Sequence, residues 1–178
     1  MKKLLSSLAA ASILAAMTPA TQAATVGGNF NVSASLTSVC TNSTVGTPTV
    51  DFGIFTAFTG PATAAPTAAL TFDCTRGLNP PTMDLDVANG TNTGTGTVGG
   101  AAATGDGVLP AVGLNYHLSV AGAKTTVGAA PTTDLGNTGS ADVYTFTVTG
   151  SMPNNQAGTC TTGTCGPDTQ LRTLTVTY

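Results

Sequence analysis

Residues 114–120 read LNYHLSV, a stretch in which every second side chain is apolar. In an extended chain, Leu114, Tyr116, Leu118 and Val120 lie on one face, and the polar residues between them lie on the other. A period of two is typical of a strand with one face in a core and one face in solvent. This stretch therefore predicts a half-buried β-strand rather than a helix, whose apolar period would be 3.6 residues.

The same alternation recurs along the chain, in segments 30–36, 70–74, 83–87, 144–148 and 174–178. Glycine, proline and asparagine separate these segments and mark turns. About seven short strands in one domain-sized chain predict an all-β fold, a sandwich of two sheets. Two longer segments without clear alternation, 88–110 and 151–167, are expected to be loops.

The N-terminal region has the three-part layout of a secretory signal peptide. Lys2 and Lys3 precede an uncharged apolar run that ends near Met17, and small residues follow at 19–23. The apolar run is shorter than the roughly 20 residues of a membrane-spanning helix. We predict a signal peptide over 1–23, cleavage after Ala23, and no stable insertion of the exported chain in a membrane.

The charge of the remaining chain, 24–178, restricts its partners. Three cationic side chains face eight aspartates, and glutamate does not occur, so the net charge is −5. Nucleic acids and anionic lipids bind through clustered Lys and Arg. The sequence therefore predicts no nucleic-acid partner.

Four cysteines, Cys40, Cys74, Cys160 and Cys165, follow the leader. An even number of cysteines in an exported chain indicates disulfides, and four cysteines allow three pairings. We predict Cys40–Cys74 and Cys160–Cys165, whose loops contribute roughly 4 and 2 kcal/mol through the entropy of loop closure. A zinc site is the competing interpretation, but one histidine and no C-x-x-C pair argue against it.

Several short motifs suggest chemistry that their surroundings do not support. Asp51-Phe52-Gly53 has the letters of a kinase magnesium motif, but the other kinase motifs are missing. Residues 94–99 fit G-x-G-x-x-G, yet no helix is predicted after them. His117 is the lone histidine and is expected to face solvent, and Asp84 and Asp86 are expected on a polar strand face. We predict no catalytic residue, no cofactor and no metal, and hence no enzyme.

The order of several motifs resembles the spore coat protein U domain family, the subunit fold of archaic chaperone–usher pili. The match runs through nearly all of residues 25–178. The motifs that carry it are FNVSASLTSVC (30–40), VDFGIF (50–55), AALTFDC (68–74), LNYHLSV (114–120) and TLTVTY (173–178).

The resemblance implies an incomplete immunoglobulin-like sandwich that lacks its last strand. In such subunits a periplasmic chaperone fills the open groove, and an outer-membrane usher then exchanges it for the N-terminal extension of the next subunit. The expected extension is 24–33, ahead of a sandwich domain over 34–178. Its groove-facing residues would be Val26, Gly28, Phe30 and Val32.

The implied function is a structural subunit of a surface pilus (fimbria) that serves adhesion or biofilm formation. Its partners would be identical or related pilin subunits, the chaperone and the usher, and it would be exported through the periplasm to the cell surface. The alternatives are a monomeric lectin-like binding module that uses the 88–110 segment, and a spore-coat structural protein. Residues 24–33 are alternatively the first strand of a complete sandwich. One departure from the family pattern is Gln170-Leu171-Arg172, which interrupts the alternation before the C-terminal strand.

Overall fold

The computed structural model describes residues 27–87, 90–134 and 136–178. Within these ranges the chain forms eleven strands and no helix. The all-β prediction is therefore confirmed. The strands are β1 (Cys40–Asn42), β2 (Phe55–Thr56), β3 (Gly60–Pro61), β4 (Thr67–Cys74), β5 (Thr82–Leu85), β6 (Asn92–Gly94), β7 (Gly96–Thr97), β8 (Ala103–Leu109), β9 (Leu114–Thr126), β10 (Asp142–Ser151) and β11 (Leu174–Thr177).

The strands form three sheets, and every pair of neighbouring strands is antiparallel. The largest sheet has six strands in the order β1-β4-β10-β9-β8-β6. A second sheet has the order β11-β5-β7, and β2 and β3 form a small hairpin. Several antiparallel sheets without helices are consistent with the predicted β-sandwich.

The core follows from the alternation in the central strands. On β9, the side chains of Tyr116, Leu118 and Val120 are buried, and on β10 those of Tyr144 and Phe146 are completely buried. Met83 and Leu85 from β5, in the three-stranded sheet, belong to the same core cluster. The apolar faces of the two larger sheets thus share one core, where each large side chain contributes about 1.5–3 kcal/mol.

Segment 88–110 was predicted to be a loop, and this prediction is wrong. It contains β6, β7 and the seven-residue strand β8. The residues of β8 that face inward are Ala103, Gly105 and Gly107, all of which are buried. A side chain at Gly107 would collide with the ring of Tyr116 on β9. The strand is therefore glycine-rich because large side chains of its neighbours fill the space beside it.

We expect Gly107→Ala to lower the free energy of unfolding by about 1–3 kcal/mol, since a methyl group there overpacks the core against Tyr116. Gly163→Ala is the matched control, because a Cβ at Gly163 meets nothing within 4 Å. Thermal unfolding of both variants measures the difference. Equal melting temperatures would show that Tyr116 moves aside freely.

Asp51-Phe52-Gly53 forms a turn ahead of β2 instead of a phosphate site. The Gly53 N–H donates to Asp51 Oδ1 at 2.8 Å, and Gly53 has a φ of 65°. Glycine adopts this left-handed conformation without strain. The Phe52 ring packs on the core, with its centroid 6.4 Å from that of Tyr116. Asp51-Phe52-Gly53 is therefore a turn that leads into β2 and places the Phe52 ring on the core.

The predicted loop over 151–167 contains no strand beyond Ser151, the last residue of β10. Cys160 and Cys165 join near its end.

The chain divides into two compact units between Ser35 and Leu36. Of the first unit, the structure describes residues 27–35, which form no strand and are all exposed. The second unit contains all eleven strands. The predicted signal peptide, 1–23, and the first three residues of the predicted extension, 24–26, lie outside the described residues.

Candidate assembly interface

The C-terminal strand β11 lies at an edge of the three-stranded sheet. It pairs with β5 on one side, and no strand in the described part of the chain pairs with its other side. An unpaired edge exposes backbone N–H and C=O groups that can accept another strand. The edge of β11 is therefore a candidate site for strand addition.

The register shows which backbone groups point away from β5. The Asp86 N–H donates to the Thr173 carbonyl at 3.0 Å, so Thr173 and Asp86 form a hydrogen-bonded pair. In an antiparallel ladder such pairs alternate with non-hydrogen-bonded pairs. Leu174 and Val176, opposite Leu85 and Met83, are the non-hydrogen-bonded positions. Their N–H and C=O groups face the free edge.

The side chains of Leu174 and Val176 face the core but are only half-buried. The same is true of Leu70 and Phe72 on β4, although Phe72 packs edge-on against the ring of Phe146 at 5.3 Å. By contrast, Phe146 on the neighbouring strand β10 is fully buried. The core thus remains partly open along β4 and β11.

The predicted donor residues that the structure describes are Gly28, Phe30 and Val32, and Val26 lies outside the described residues. The side chains of Phe30 and Val32 are 85% and 86% exposed. The expectation that segment 30–36 forms a strand is wrong for the single chain, since no described residue before Cys40 is in a strand. A strand needs a neighbour for its backbone hydrogen bonds, and this segment pairs with no strand among the residues that the structure describes.

Arg172 occupies the position just before β11, and its side chain is only 8% exposed. Its Nε lies 2.5 Å from Asp86 Oδ1, and its Nη2 donates to the Asp86 carbonyl at 2.5 Å. Its Nη1 donates to the Tyr116 hydroxyl at 2.9 Å and to the Asp106 carbonyl at 3.2 Å. The Tyr116 hydroxyl also bonds to Gln170. Arg172 and Gln170 therefore take part in a part-buried polar contact that joins both larger sheets, and Leu171 between them is exposed.

His117 faces the outer side of β9, as predicted, and its side chain is 41% exposed. Its Nδ1 lies 2.6 Å from Asp106 Oδ1 on the neighbouring strand β8. Asp84 bonds to Asn92, and Asp86 lies just beyond β5 and contacts Arg172. Among the described residues, no three His, Cys, Asp or Glu side chains converge on a site for a metal ion.

The two disulfides have the pairing expected from the sequence. Cys40 and Cys74 are opposite each other in the β1–β4 ladder, with Cα atoms 4.0 Å apart. The next pair along the ladder, Val39 and Thr75, is hydrogen-bonded, since the Thr75 N–H donates to the Val39 carbonyl. Because the two kinds of pair alternate, Cys40 and Cys74 form a non-hydrogen-bonded pair. Cys160–Cys165 closes a short loop outside the strands, in which Cys160 is exposed and Cys165 is half-buried. Two disulfides indicate an oxidising, extracytoplasmic environment.

Asp142, at the start of β10, is a buried carboxylate that holds two loops in place. One oxygen accepts from Lys124 Nζ at 2.8 Å and from the Gly77 N–H at 3.0 Å. The other accepts from the Gly128 N–H at 2.7 Å. The Lys124 ammonium and these backbone donors lower the pKa of Asp142 from 3.8 to about 2, although burial opposes the change. The charged form is therefore the stable one at neutral pH.

We expect Asp142→Asn to lower the free energy of unfolding by about 1–3 kcal/mol at pH 7, because an amide cannot replace both acceptors and the charge. Folding lowers the pKa of Asp142 from 3.8 to about 2. The contribution of its charged form to the free energy of unfolding is therefore complete above pH 3.8 and is lost as the pH falls towards about 2. Urea unfolding between pH 7 and pH 2 measures this. The difference between wild type and variant should shrink in the acid range, and a constant difference would contradict the assignment.

Comparison of the chain with family models, with curated proteins and with solved structures finds no match. No helix in the described ranges is long and apolar enough to cross a membrane.

Proposed function

We propose that this protein is a structural subunit of a secreted surface pilus, in which the N-terminal extension of one subunit completes the sandwich of the next. The half-open core along the free edge of β11 is the observation that carries the proposal. Leu174 and Val176 direct their side chains into the core and their backbone groups along an edge that no described strand covers. A docked strand would supply both hydrogen bonds and apolar side chains there.

The strand order supports this proposal. An immunoglobulin sandwich has strands A, B, E and D in one sheet and C, F and G in the other, and variable-type domains add C′ beside C. The order β1-β4-β10-β9 corresponds to A-B-E-D, and the order β11-β5-β7 corresponds to F-C-C′. Strand G, which would lie beside F, has no counterpart in the described chain. On this correspondence, the position of strand G lies at the free edge of β11, where the proposal places the donor strand.

The N-terminal segment supplies a fitting donor. Phe30 and Val32 share one face of an extended chain, and both side chains are exposed in the single subunit. Their burial in a neighbour would contribute about 1.5–3 kcal/mol for each side chain. In a polymer the apolar area of these side chains leaves water, which favours association.

The test is the assembly state of the exported full-length protein. We expect a ladder of multimers on an unboiled denaturing gel that collapses to the monomer after boiling, since donor and acceptor are held by a complete β-ladder. In periplasmic extracts, a second protein should co-purify with the monomer and occupy the free edge before assembly. A stable monomer with no tendency to associate would favour the monomeric binding module instead.

A further inference from the structure

The feature that the proposed function leaves unexplained is the buried Arg172 contact. In an extended chain, residues 172, 174 and 176 point to the same side. The inward row that precedes and enters β11 therefore reads Arg172, Leu174, Val176: one buried guanidinium followed by two half-buried apolar side chains.

Arg172 fixes the position of this row on β5. Arg172 Nε donates to Asp86 Oδ1, and Arg172 Nη2 donates to the backbone carbonyl of Asp86. The other carboxylate oxygen, Oδ2, accepts from the Thr173 N–H at 3.0 Å. These bonds lock the first residues of the segment against the end of β5. A slip of β11 by two residues would break all of them and leave a buried charge without its partner.

Arg172 also ends the apolar row. Its head group is held by Tyr116 on β9 and by the Asp106 carbonyl on β8, and it lies 5.8 Å from the centre of the Tyr116 ring. A strand that docks along β11 therefore contacts two apolar side chains, Leu174 and Val176, and at the next inward position meets the Arg172 side chain with its hydrogen-bond partners. Phe30 and Val32 are spaced two residues apart, like Leu174 and Val176.

We propose that Arg172 is a positioning residue for assembly that sets the register of the incoming strand. This proposal rests on the proposed function. The two apolar donor residues fit beside Leu174 and Val176, and a shift of two residues towards residue 172 would place one of them against the guanidinium and its partners. Arg172 thereby excludes the registers that are shifted towards the start of β11, which the backbone ladder alone would allow.

Arg172→Met tests this, because methionine retains much of the apolar stem and removes the hydrogen bonds. The readouts are hydrogen exchange of residues 24–33 in the assembled polymer and the rate at which polymers dissociate on warming. In wild-type polymers we expect one continuous set of backbone amides within 24–33 to be protected from hydrogen exchange, and polymer dissociation to follow a single kinetic phase. In Arg172→Met polymers we expect protection spread over shifted windows and a phase that dissociates about tenfold faster. Arg172→Lys should be intermediate, since lysine keeps the charge but not the fork of donors.

Tyr116→Phe covers the case in which Arg172→Met does not fold, because it removes one acceptor of the guanidinium and retains the ring. It should spread the protection over shifted registers in the same way but to a smaller extent. Thr175→Ser, on the exposed face, is the control and should match wild type. Wild-type exchange in both Arg172→Met and Tyr116→Phe, or in Tyr116→Phe alone if Arg172→Met does not fold, would overturn the proposal. Absence of protection over 24–33 in the wild type would instead refute the pilus function.

Discussion

Phe30→Asp should abolish the multimer ladder while leaving the monomer folded. A carboxylate at residue 30 would have to be buried in the open core of the neighbouring subunit, at a cost of several kcal/mol even after relaxation. In the single subunit the Phe30 side chain is 85% exposed. Its replacement should therefore change the stability of the monomer by no more than about 0.5 kcal/mol.

The matched control is Asn31→Ser. In an extended donor, residue 31 points away from residues 30 and 32, so this change should leave the ladder nearly intact. The measurement is the multimer ladder on an unboiled gel beside the yield of soluble monomer or chaperone complex. If Phe30→Asp instead removed the folded monomer, residue 30 would belong to a self-contained sandwich, and the proposed mechanism would be wrong.

Period-two alternation was a reliable guide to the central strands, because every second side chain is buried over residues 114–120 of β9 and along the whole of β10. The same signal in segment 30–36 did not produce a strand in the single chain. Alternation reports that one face of a segment favours burial, and it does not report where the partner is. Under the proposed function the partner of this segment is a second subunit, so a strand pattern without a strand in the single chain is the expected result.

Strand β8 was missed for the opposite reason. Its inward positions, Ala103, Gly105 and Gly107, carry almost no side chain, so they give no hydrophobic signal. The space beside Gly107 is filled by the ring of Tyr116, which comes later in the chain. A small residue at every second position was the available signal, but in a Gly- and Thr-rich segment it resembled a loop.

Arg172 was visible only as a break in the pattern. Its partners Tyr116 and Asp86 precede it by 56 and 86 residues, and nothing local in the sequence relates them. The available clue was its place in the period of two: residue 172 lies on the same side of an extended chain as Leu174 and Val176, whose side chains face the core. The choice of partners required the sheet register.

The register of β11 leads to a second large effect, on its backbone. Val176→Pro should eliminate stable multimers while the subunit still folds. Proline lacks an N–H. Val176 and Met83 form a non-hydrogen-bonded pair, so the N–H of Val176 points to the free edge and not to β5. Proline is tolerated on edge strands when its missing donor is on the unpaired side. The subunit's own ladder therefore loses no hydrogen bond, whereas an incoming strand would lose one and meet the proline ring.

Two controls separate the backbone effect from its alternatives. Val176→Ala removes the apolar side chain but keeps the N–H, so it should weaken the multimers without eliminating them. Thr175→Pro removes an N–H that points towards β5, so it should destabilise the monomer by about 1–3 kcal/mol. Thermal unfolding of each monomer and the multimer ladder together measure these outcomes. If the multimer ladder were equally intact in Val176→Pro and Val176→Ala, no strand would add to this edge. A strand that docked there would lose a backbone hydrogen bond in Val176→Pro but keep it in Val176→Ala, so its affinity would differ between the two variants.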